Sequence, residues 1–197
     1  VHHPQWIKAK EIVQSGVLGD LIQVDAVFSY NNQADLENIR NNSNMGGGGL
    51  PDIGVYTLGS VRFVTDQEPA AIRHVDIKYE NGVDVWALAA FDFPKFKFTS
   101  ITSMRMAPRQ EVTFQGTDGF IKLTAPFNPL VYDKAEIIKR MNDGTEEVFS
   151  YPGVSQYVNQ IEAFSDAVLN EKTYPCSLEF SQGTQAMIDS IFDFSST

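Results

Sequence analysis

The sequence has 197 residues, of which 43% are hydrophobic, as in a folded domain with one substantial core rather than a disordered chain. Its formal net charge of −10 argues against a nucleic-acid surface, and no apolar run approaches the ~20 residues of a membrane span. Cys176 is the only cysteine, and the three histidines show no metal-ligand spacing. We therefore expect a cytoplasmic domain that holds no metal, with the reservation that an export signal would lie before Val1.

The first part of the chain predicts a helix, a strand and a polar loop. Trp6, Ala9 and Val13 recur at helical spacing, and Gly16 ends that helix. Residues 21–30 alternate between apolar and polar side chains, which predicts a half-buried strand. Residues 31–44 form a loop with six asparagines and one cation, Arg40.

The loop leads into four glycines, residues 46–49, which we call the glycine run. Glycine reaches positive φ and allows close backbone approach because it has no Cβ. The run enters a helix predicted over residues 51–64, in which Asp52 is favoured by the positive end of the helix dipole. Tyr56 follows at i+4 and shares a face with Asp52. Two more glycines interrupt this helix, so we expect something to pack tightly against it and take it as the floor of a site.

Asp52 and Tyr56 form a candidate acid–base pair. A tyrosine hydroxyl can pass its proton to an alkoxide if a nearby cation lowers its pKa from about 10. Arg40 and His3 are the candidate cations. The alternatives are ordinary: Asp52 as a helix-start acid, Tyr56 as a packed aromatic, Arg40 as a solvated loop charge and His3 as part of an exposed N-terminal pair. The loop amides, Asn38 among them, would suit a hydroxyl-rich ligand.

From residue 68 onward the sequence predicts a meander of strands. Three turns with hairpin chemistry, Asn81-Gly82, Asp118-Gly119 and Asn142-Asp143-Gly144, indicate a largely antiparallel sheet. The predicted strands cover residues 70–80, 83–93, 96–104, 110–115, 120–123, 136–141 and 146–150. The strand at 83–93 is apolar on both sides and needs cover on both faces. Helices would cover one face, and a second subunit is the candidate for the other.

Two amphipathic helices close the chain, over residues 154–170 and 178–194. The first carries a stripe of Tyr157, Ile161, Phe164 and Val168. No internal repeat or linker interrupts the sequence, so we expect a single α+β unit over residues 1–197.

The glycine run does not have the form of a nucleotide-binding loop. It lacks the Gly-Lys-Ser/Thr ending of a phosphate loop, and Pro51 and Asp52 stand where G-x-G-x-x-G needs its last glycine. No other segment offers a strand, a glycine-rich turn and a helix in that order. The chain alone is therefore predicted to contain no dinucleotide-binding fold.

Taken together, these segments resemble the Gfo/Idh/MocA oxidoreductases. HHPQW, SGVLGDLIQV, NIRN, GGGGLPDIGVY, EP and YVNQIEAF follow one another in the family's order. The resemblance covers nearly the whole chain but only the family's C-terminal domain. Family members normally begin with a Rossmann domain that ends in a Glu-Lys-Pro segment with a catalytic lysine, and neither is found in this sequence. The resemblance implies an open, mostly antiparallel sheet with helices on one face, the other face often serving dimerisation.

The resemblance also implies roles for individual residues. Asp52 and Tyr56 match the acid and the acid–base residue of a motif written D-x-G-x-H in many members, with tyrosine in the last place as in the sugar and dihydrodiol dehydrogenase branches. His3, Arg40 and Asn38 are assigned to the substrate. Gly48 and Gly49 are assigned to the cofactor.

The implied reaction is hydride transfer between a sugar or cyclic-polyol carbon and NAD or NADP. Tyr56 would exchange the hydroxyl proton and Asp52 would orient the substrate. We expect the intact protein to bind NAD or NADP, this chain alone to bind neither, and the protein to form a homo-oligomer through the sheet face. The alternative is a non-catalytic, ligand-sensing member of the same family.

Overall fold

The computed structural model, which describes residues 1–195, is built on one eight-stranded sheet. Its strand order is β2-β3-β4-β1-β5-β6-β7-β8. The predicted α+β class with a mostly antiparallel sheet is confirmed. The strands are β1 (Leu21–Asn31), β2 (Ala71–Glu80), β3 (Val83–Asp92), β4 (Lys97–Ser103), β5 (Arg105–Gly116), β6 (Gly119–Leu123), β7 (Glu136–Met141) and β8 (Glu146–Ser150).

β1 lies in the middle of the sheet, parallel to β4 and antiparallel to β5. The pairing with β4 is parallel because the chain leaves β1, passes through a helix and the β2–β3 hairpin, and returns in the same direction. Hairpin signals read locally along the sequence did not predict this contact. Val24 of β1 therefore pairs with Phe98 on one side and with Phe114 on the other, and all three side chains are buried.

The β2–β3 hairpin follows the turn chemistry of its sequence. Asn81 has φ 49° and Gly82 has φ 77°, the two positive values that a two-residue type I′ turn requires. At the β5–β6 hairpin the turn residues are Thr117 and Asp118, because Gly119 already belongs to β6. The Asp118-Gly119 dipeptide therefore predicted the hairpin correctly, but the turn lies one residue earlier in the chain.

Three helices pack on one face of the sheet, and a fourth does not. The helices are α1 (Pro4–Gln14), α2 (Val55–Thr65), α3 (Gln156–Leu169) and α4 (Leu178–Ser195). Trp6 of α1, Leu58 of α2 and Ile188 of α4 join the sheet residues in one hydrophobic core. α3 contributes no buried residue. Within residues 1–195 no helix is long and apolar enough to cross a membrane.

β3 shows how the two faces of the sheet differ. Its inner side chains, Val85 and Ala87 among them, are each 2% exposed. The outer residues Trp86, Leu88 and Ala90 are only partly buried. The helices therefore cover one face of this strand, and cover of the other by a second subunit stays a prediction.

The stripe predicted on α3 is present but faces outward. Tyr157, Ile161, Phe164 and Val168 are 58%, 67%, 60% and 62% exposed. The helix itself is confirmed, and its N-terminus is capped by the hydroxyl of Ser155. An amphipathic pattern therefore predicted this helix correctly, although its apolar side does not pack on the sheet.

Candidate active site

The site-bearing helix begins with a wider turn than the sequence predicts. Residues Leu50–Gly54 form a π turn, and α2 continues from Val55. Short 3-10 turns at Ile39–Asn41 and Ser43–Met45 bring the chain to the glycine run. π turns are rare and occur frequently at functional sites, so this entry distinguishes α2 from the other helices.

Two glycines of the run are required by close contacts. A Cβ on Gly48, which has φ +133°, would lie 2.2 Å from Oδ1 of Asp84, and one on Gly47 would lie 2.5 Å from the carbonyl oxygen of Arg40. The N–H of Leu50 donates to Oδ2 of Asp84 at 2.7 Å. Gly48 and Gly49 therefore lie against the carboxylate of Asp84, and their role as cofactor contacts stays a prediction.

Asp52 is held by two groups from other parts of the chain. Nε of Arg40 lies 2.7 Å from its Oδ2, and the hydroxyl of Tyr30, at the end of β1, donates to the same oxygen at 2.9 Å. The hydrogen bond to Asp52 raises the pKa of the Arg40 guanidinium above its ordinary value. Burial, followed by the bond to Asp52, raises the pKa of Tyr30, so its phenol stays a donor.

Asn38 contributes by shaping the loop that carries Arg40. Its side-chain oxygen accepts the backbone N–H of Arg40 at 3.1 Å, and its amide donates to Asp35 at 3.0 Å. The structure therefore brings Asn38 to the edge of the Arg40–Asp52 pair, with its amide already engaged in local bonds.

Tyr56 lies beside this pair and is 41% exposed. Its ring packs against Phe28 and Phe127, with ring centroids 5.6 and 5.8 Å away. Burial raises the pKa of its hydroxyl, and the charge of Arg40 lowers it by less. The predicted lowering by Arg40 is thus outweighed by burial and by the charges of Tyr157 and Asp52. At neutral pH Tyr56 is a protonated phenol.

Two clefts lie next to these residues. One of about 350 Å³ is lined mainly by apolar and aromatic side chains, including Tyr56, Trp6, Phe127 and Tyr157. A second, of about 160 Å³, lies against Arg40, Asp52 and the glycine run. The larger falls within the roughly 300–1,000 Å³ range of small-molecule sites. A ligand in the larger cleft would therefore meet an apolar wall and the Tyr56 phenol, whereas the ion pair borders the smaller cleft.

His3 is not brought to this site. It is fully buried, and its Nδ1 accepts the N–H of Gln5 at 3.2 Å, which caps α1. Burial, more than any charge, lowers the pKa of its imidazole to about 4. His2 instead lines the larger cleft, where its Nε2 lies 3.1 Å from the hydroxyl of Tyr174.

Sequence reasoning missed two polar residues that shape the site, Tyr30 and Asp84. Tyr30 carried a signal, because the alternation of β1 places it on the buried face with a polar tip next to the loop. Asp84 also carried one, as an acid directly after a hairpin turn in an otherwise apolar strand. In the described residues no group of three or more His, Cys, Asp or Glu side chains is arranged to hold a metal ion.

Comparison with known proteins finds relatives among the oxidoreductases. An uncharacterised oxidoreductase of Rhizobium meliloti is 33% identical over 195 residues, which are 96% of this chain and 58% of that protein. D-xylose 1-dehydrogenase (NADP(+)) 2 of Haloferax volcanii is 24% identical over 196 residues, covering 99% of this chain and 60% of that protein.

A solved structure shares the fold. It is that of KijD10, a 3-ketoreductase from Actinomadura kijaniata, in complex with NADP and TDP-benzene. It matches with a TM-score of 0.83 at 24% identity, over 98% of this chain and 59% of that one. The chain thus spans between 58% and 60% of the length of these three proteins. The model of the GFO/IDH/MocA C-terminal domain matches residues 6–122, and the chain belongs to this family of oxidoreductases.

Proposed function

We propose that this chain is the substrate-binding and oligomerisation domain of an NAD(P)-dependent oxidoreductase that acts on a sugar or cyclic polyol. The observation that carries the proposal is Tyr56, a protonated phenol at the mouth of a cleft of about 350 Å³ beside the Arg40–Asp52 ion pair. The names of two relatives support it: one is a D-xylose dehydrogenase specified for NADP(+), the other an oxidoreductase. The dinucleotide-binding domain would lie in another part of the intact protein.

The role of Tyr56 follows from its protonation. As a carbonyl carbon of the substrate is reduced, the Tyr56 hydroxyl donates its proton to the carbonyl oxygen, which becomes a hydroxyl, and solvent reprotonates the phenolate. In the reverse direction the phenolate takes the proton from the hydroxyl. NAD or NADP, when bound by the rest of the protein, supplies or accepts the hydride. The raised pKa of Tyr56 keeps its hydroxyl in the protonated form that the reduction direction requires.

Asp52 would orient the substrate. Both of its internal contacts, with Arg40 and Tyr30, are made at Oδ2. An ionised carboxylate accepts hydrogen bonds at two oxygens, and the smaller cleft lies against it. A substrate hydroxyl donating to Asp52 would be placed within reach of Tyr56, one helical turn further on.

The open sheet face would form the oligomer interface with a second copy of the chain. Trp86, Leu88 and Ala90 of β3 lie there partly exposed, next to Ile101 of β4, which pairs with Leu88. A contiguous apolar patch of this kind is typical of an interface. Replacing Leu88 with arginine should shift the intact protein to a smaller species in sedimentation velocity, and an unchanged species would rule out this face.

The catalytic proposal is tested by turnover of the intact protein with NADH and NADPH against a panel of ketosugars, and with NAD⁺ and NADP⁺ against a panel of aldoses and cyclic polyols. We expect nicotinamide oxidation or reduction above background with at least one sugar or polyol, and none from residues 1–197 alone. Ligand binding without turnover by the intact protein would favour the ligand-sensing alternative. Turnover by residues 1–197 alone would contradict the proposal that the dinucleotide-binding domain lies in another part of the intact protein.

A further inference from the structure

Asp84 is a buried acid that the proposed chemistry does not use. It is 3% exposed and lies between Val83 and Val85, which pack with Met104 in a small apolar cluster. Its Oδ2 accepts the N–H of Leu50 at 2.7 Å, and the N–H of Gly49 also bonds to the carboxylate. Asp84 therefore caps the start of the site-bearing helix from a strand that lies 34 residues further along the chain.

The glycine run connects Asp84 to the Arg40–Asp52 ion pair. Gly48 approaches Asp84 so closely that a Cβ would lie 2.2 Å from Oδ1. The N–H of Gly48 donates to the carbonyl oxygen of Arg40 at 3.0 Å, and its own carbonyl accepts the N–H of Asp52 at 3.3 Å. One residue thus links the buried carboxylate to both members of the ion pair.

We propose that Asp84 is a positioning residue whose ionised carboxylate holds the glycine run in the conformation that pairs Arg40 with Asp52. The effect on activity rests on the proposed function. The effect on the glycine run does not.

The chemistry of the two protonation states differs at this position. A carboxylate accepts both N–H groups, whereas the protonated acid loses acceptor capacity and gains a donor that needs its own partner. Burial raises the pKa of Asp84 to about 6, against the opposing effect of the N–H groups of Leu50, Asp84 and Gly49. The group therefore changes charge within the range in which the protein can be studied folded.

Other charged and titratable groups around Asp84 belong to the neighbouring elements. On β2 they are Tyr79, which is its cross-strand partner, and Glu80, which pairs with Arg105 of β5 at 2.8 Å. On the side of the glycine run they are Arg40 and Asp52, 2.7 Å apart. Each of these four charges thus has a partner of opposite sign. The causes of the pKa shift at Asp84 are burial and backbone N–H groups.

The test is hydrogen–deuterium exchange of the intact protein at pH 7.5. Protection of residues 45–54 should be about tenfold lower in Asp84→Asn, which keeps a single acceptor oxygen, than in the wild type, the order expected for losing one charge-assisted hydrogen bond. Asp92→Asn is the matched control, because Asp92 lies on the same strand and pairs with surface Arg73 and Lys97.

A parallel activity profile separates this proposal from the proposed function. Asp84→Asn should have about tenfold lower kcat than the wild type, whereas Asp92→Asn should keep the wild-type kcat. Equal protection of residues 45–54 in Asp84→Asn and Asp92→Asn would overturn the role of Asp84, whatever the activity. Absence of turnover with every substrate would instead overturn the proposed function, and the exchange result would still decide the role of Asp84.

Discussion

α2 and α3 are both helices with strong apolar character, but α2 is largely buried and α3 is exposed. α2 buries seven of its eleven residues, whereas α3 buries none. Leu58 in α2 is 0% exposed, and Ile161 in α3 is 67% exposed. Intrinsic helix preference does not explain this contrast, because both segments form regular helices. The difference lies in what each helix packs against.

The comparison separates the part of the site that this chain holds in place by itself, on α2, from the part on α3, whose apolar stripe is left uncovered. α2 is held by α1, α4 and the sheet, so Tyr56 and Asp52 are positioned within this chain. α3 presents an apolar stripe to solvent, and exposed patches of this kind mark interaction surfaces. Tyr157 lies on that stripe and also lines the larger cleft, so whatever covers α3 would also border the site.

The largest expected effect on turnover concerns Tyr56, on the buried helix α2. Tyr56→Phe in the intact protein should lower kcat by about 100- to 10,000-fold, the contribution of a positioned proton donor, without unfolding the protein. Tyr79→Phe is the control, since Tyr79 is an exposed tyrosine on β2 and its loss should leave turnover unchanged. Steady-state kinetics with the preferred substrate checks both, and equal activity of the two variants would refute the role of Tyr56.

The second prediction tests the contrast between the helices directly. In urea unfolding of residues 1–197, Leu58→Ala should lower the free energy of unfolding by about 2–5 kcal/mol, because it opens a cavity in the core. Ile161→Ala should change it by less than about 0.5 kcal/mol, as an exposed site. Equal losses would mean that the stripe on α3 packs against this chain after all.

A third prediction concerns stability against pH. Asp84 has a folded-state pKa of about 6, above its unfolded value of about 3.9. Its contribution is therefore complete below about pH 4 and is lost as the pH rises through 6, by about 3 kcal/mol. The wild type should lose that much against Asp84→Asn between pH 4 and 7.5 in urea unfolding.

His3 changes the free energy of unfolding with pH in the opposite direction to Asp84. For this reason the test compares the wild type with Asp84→Asn rather than following the wild type alone. Its pKa is lowered to about 4 in the fold, so its contribution is present above the unfolded value of about 6.5 and is lost as the pH falls. The two proteins share His3, and its effect cancels in the comparison. A difference that does not vary with pH would show that Asp84 titrates normally.

The smallest effect is expected from Tyr30. Tyr30→Phe removes one hydrogen bond to the Asp52 carboxylate, so kcat/KM should fall about tenfold, in line with the roughly 1.5–3 kcal/mol of a bond to a charged group. A loss as large as that of Tyr56→Phe would indicate that Tyr30 is itself the proton donor. No loss would show that Arg40 alone orients Asp52.

The residues that sequence analysis placed well are those fixed by local patterns. β7 and β8 begin and end where alternation and turn glycines predicted, and the Asn81-Gly82 turn has the positive φ angles its residues favour. Asp52 and Tyr56 could be proposed as site residues because the glycine run and the helix start are local features, and their roles stay predictions. The prediction of the Gfo/Idh/MocA family is confirmed.

What sequence analysis missed depends on contacts between distant residues. Tyr30 reaches Asp52 across 22 positions and Leu50 reaches Asp84 across 34, and such pairs are set by how the strands align in the sheet. His3 was assigned to the substrate by its position in a motif, but its burial follows from tertiary packing. The outward orientation of the α3 stripe could not be predicted either, because an amphipathic pattern does not say what covers it.

The most direct test of the central claim is a crystal structure of the intact protein with bound dinucleotide and a sugar or polyol ligand. We expect the Tyr56 hydroxyl within hydrogen-bond reach of the oxygen on the reacting carbon, at about 2.6–3.2 Å, with Asp52 on a neighbouring hydroxyl. A reacting carbon on the far side of the cleft from Tyr56, with another side chain at its oxygen, would contradict the account.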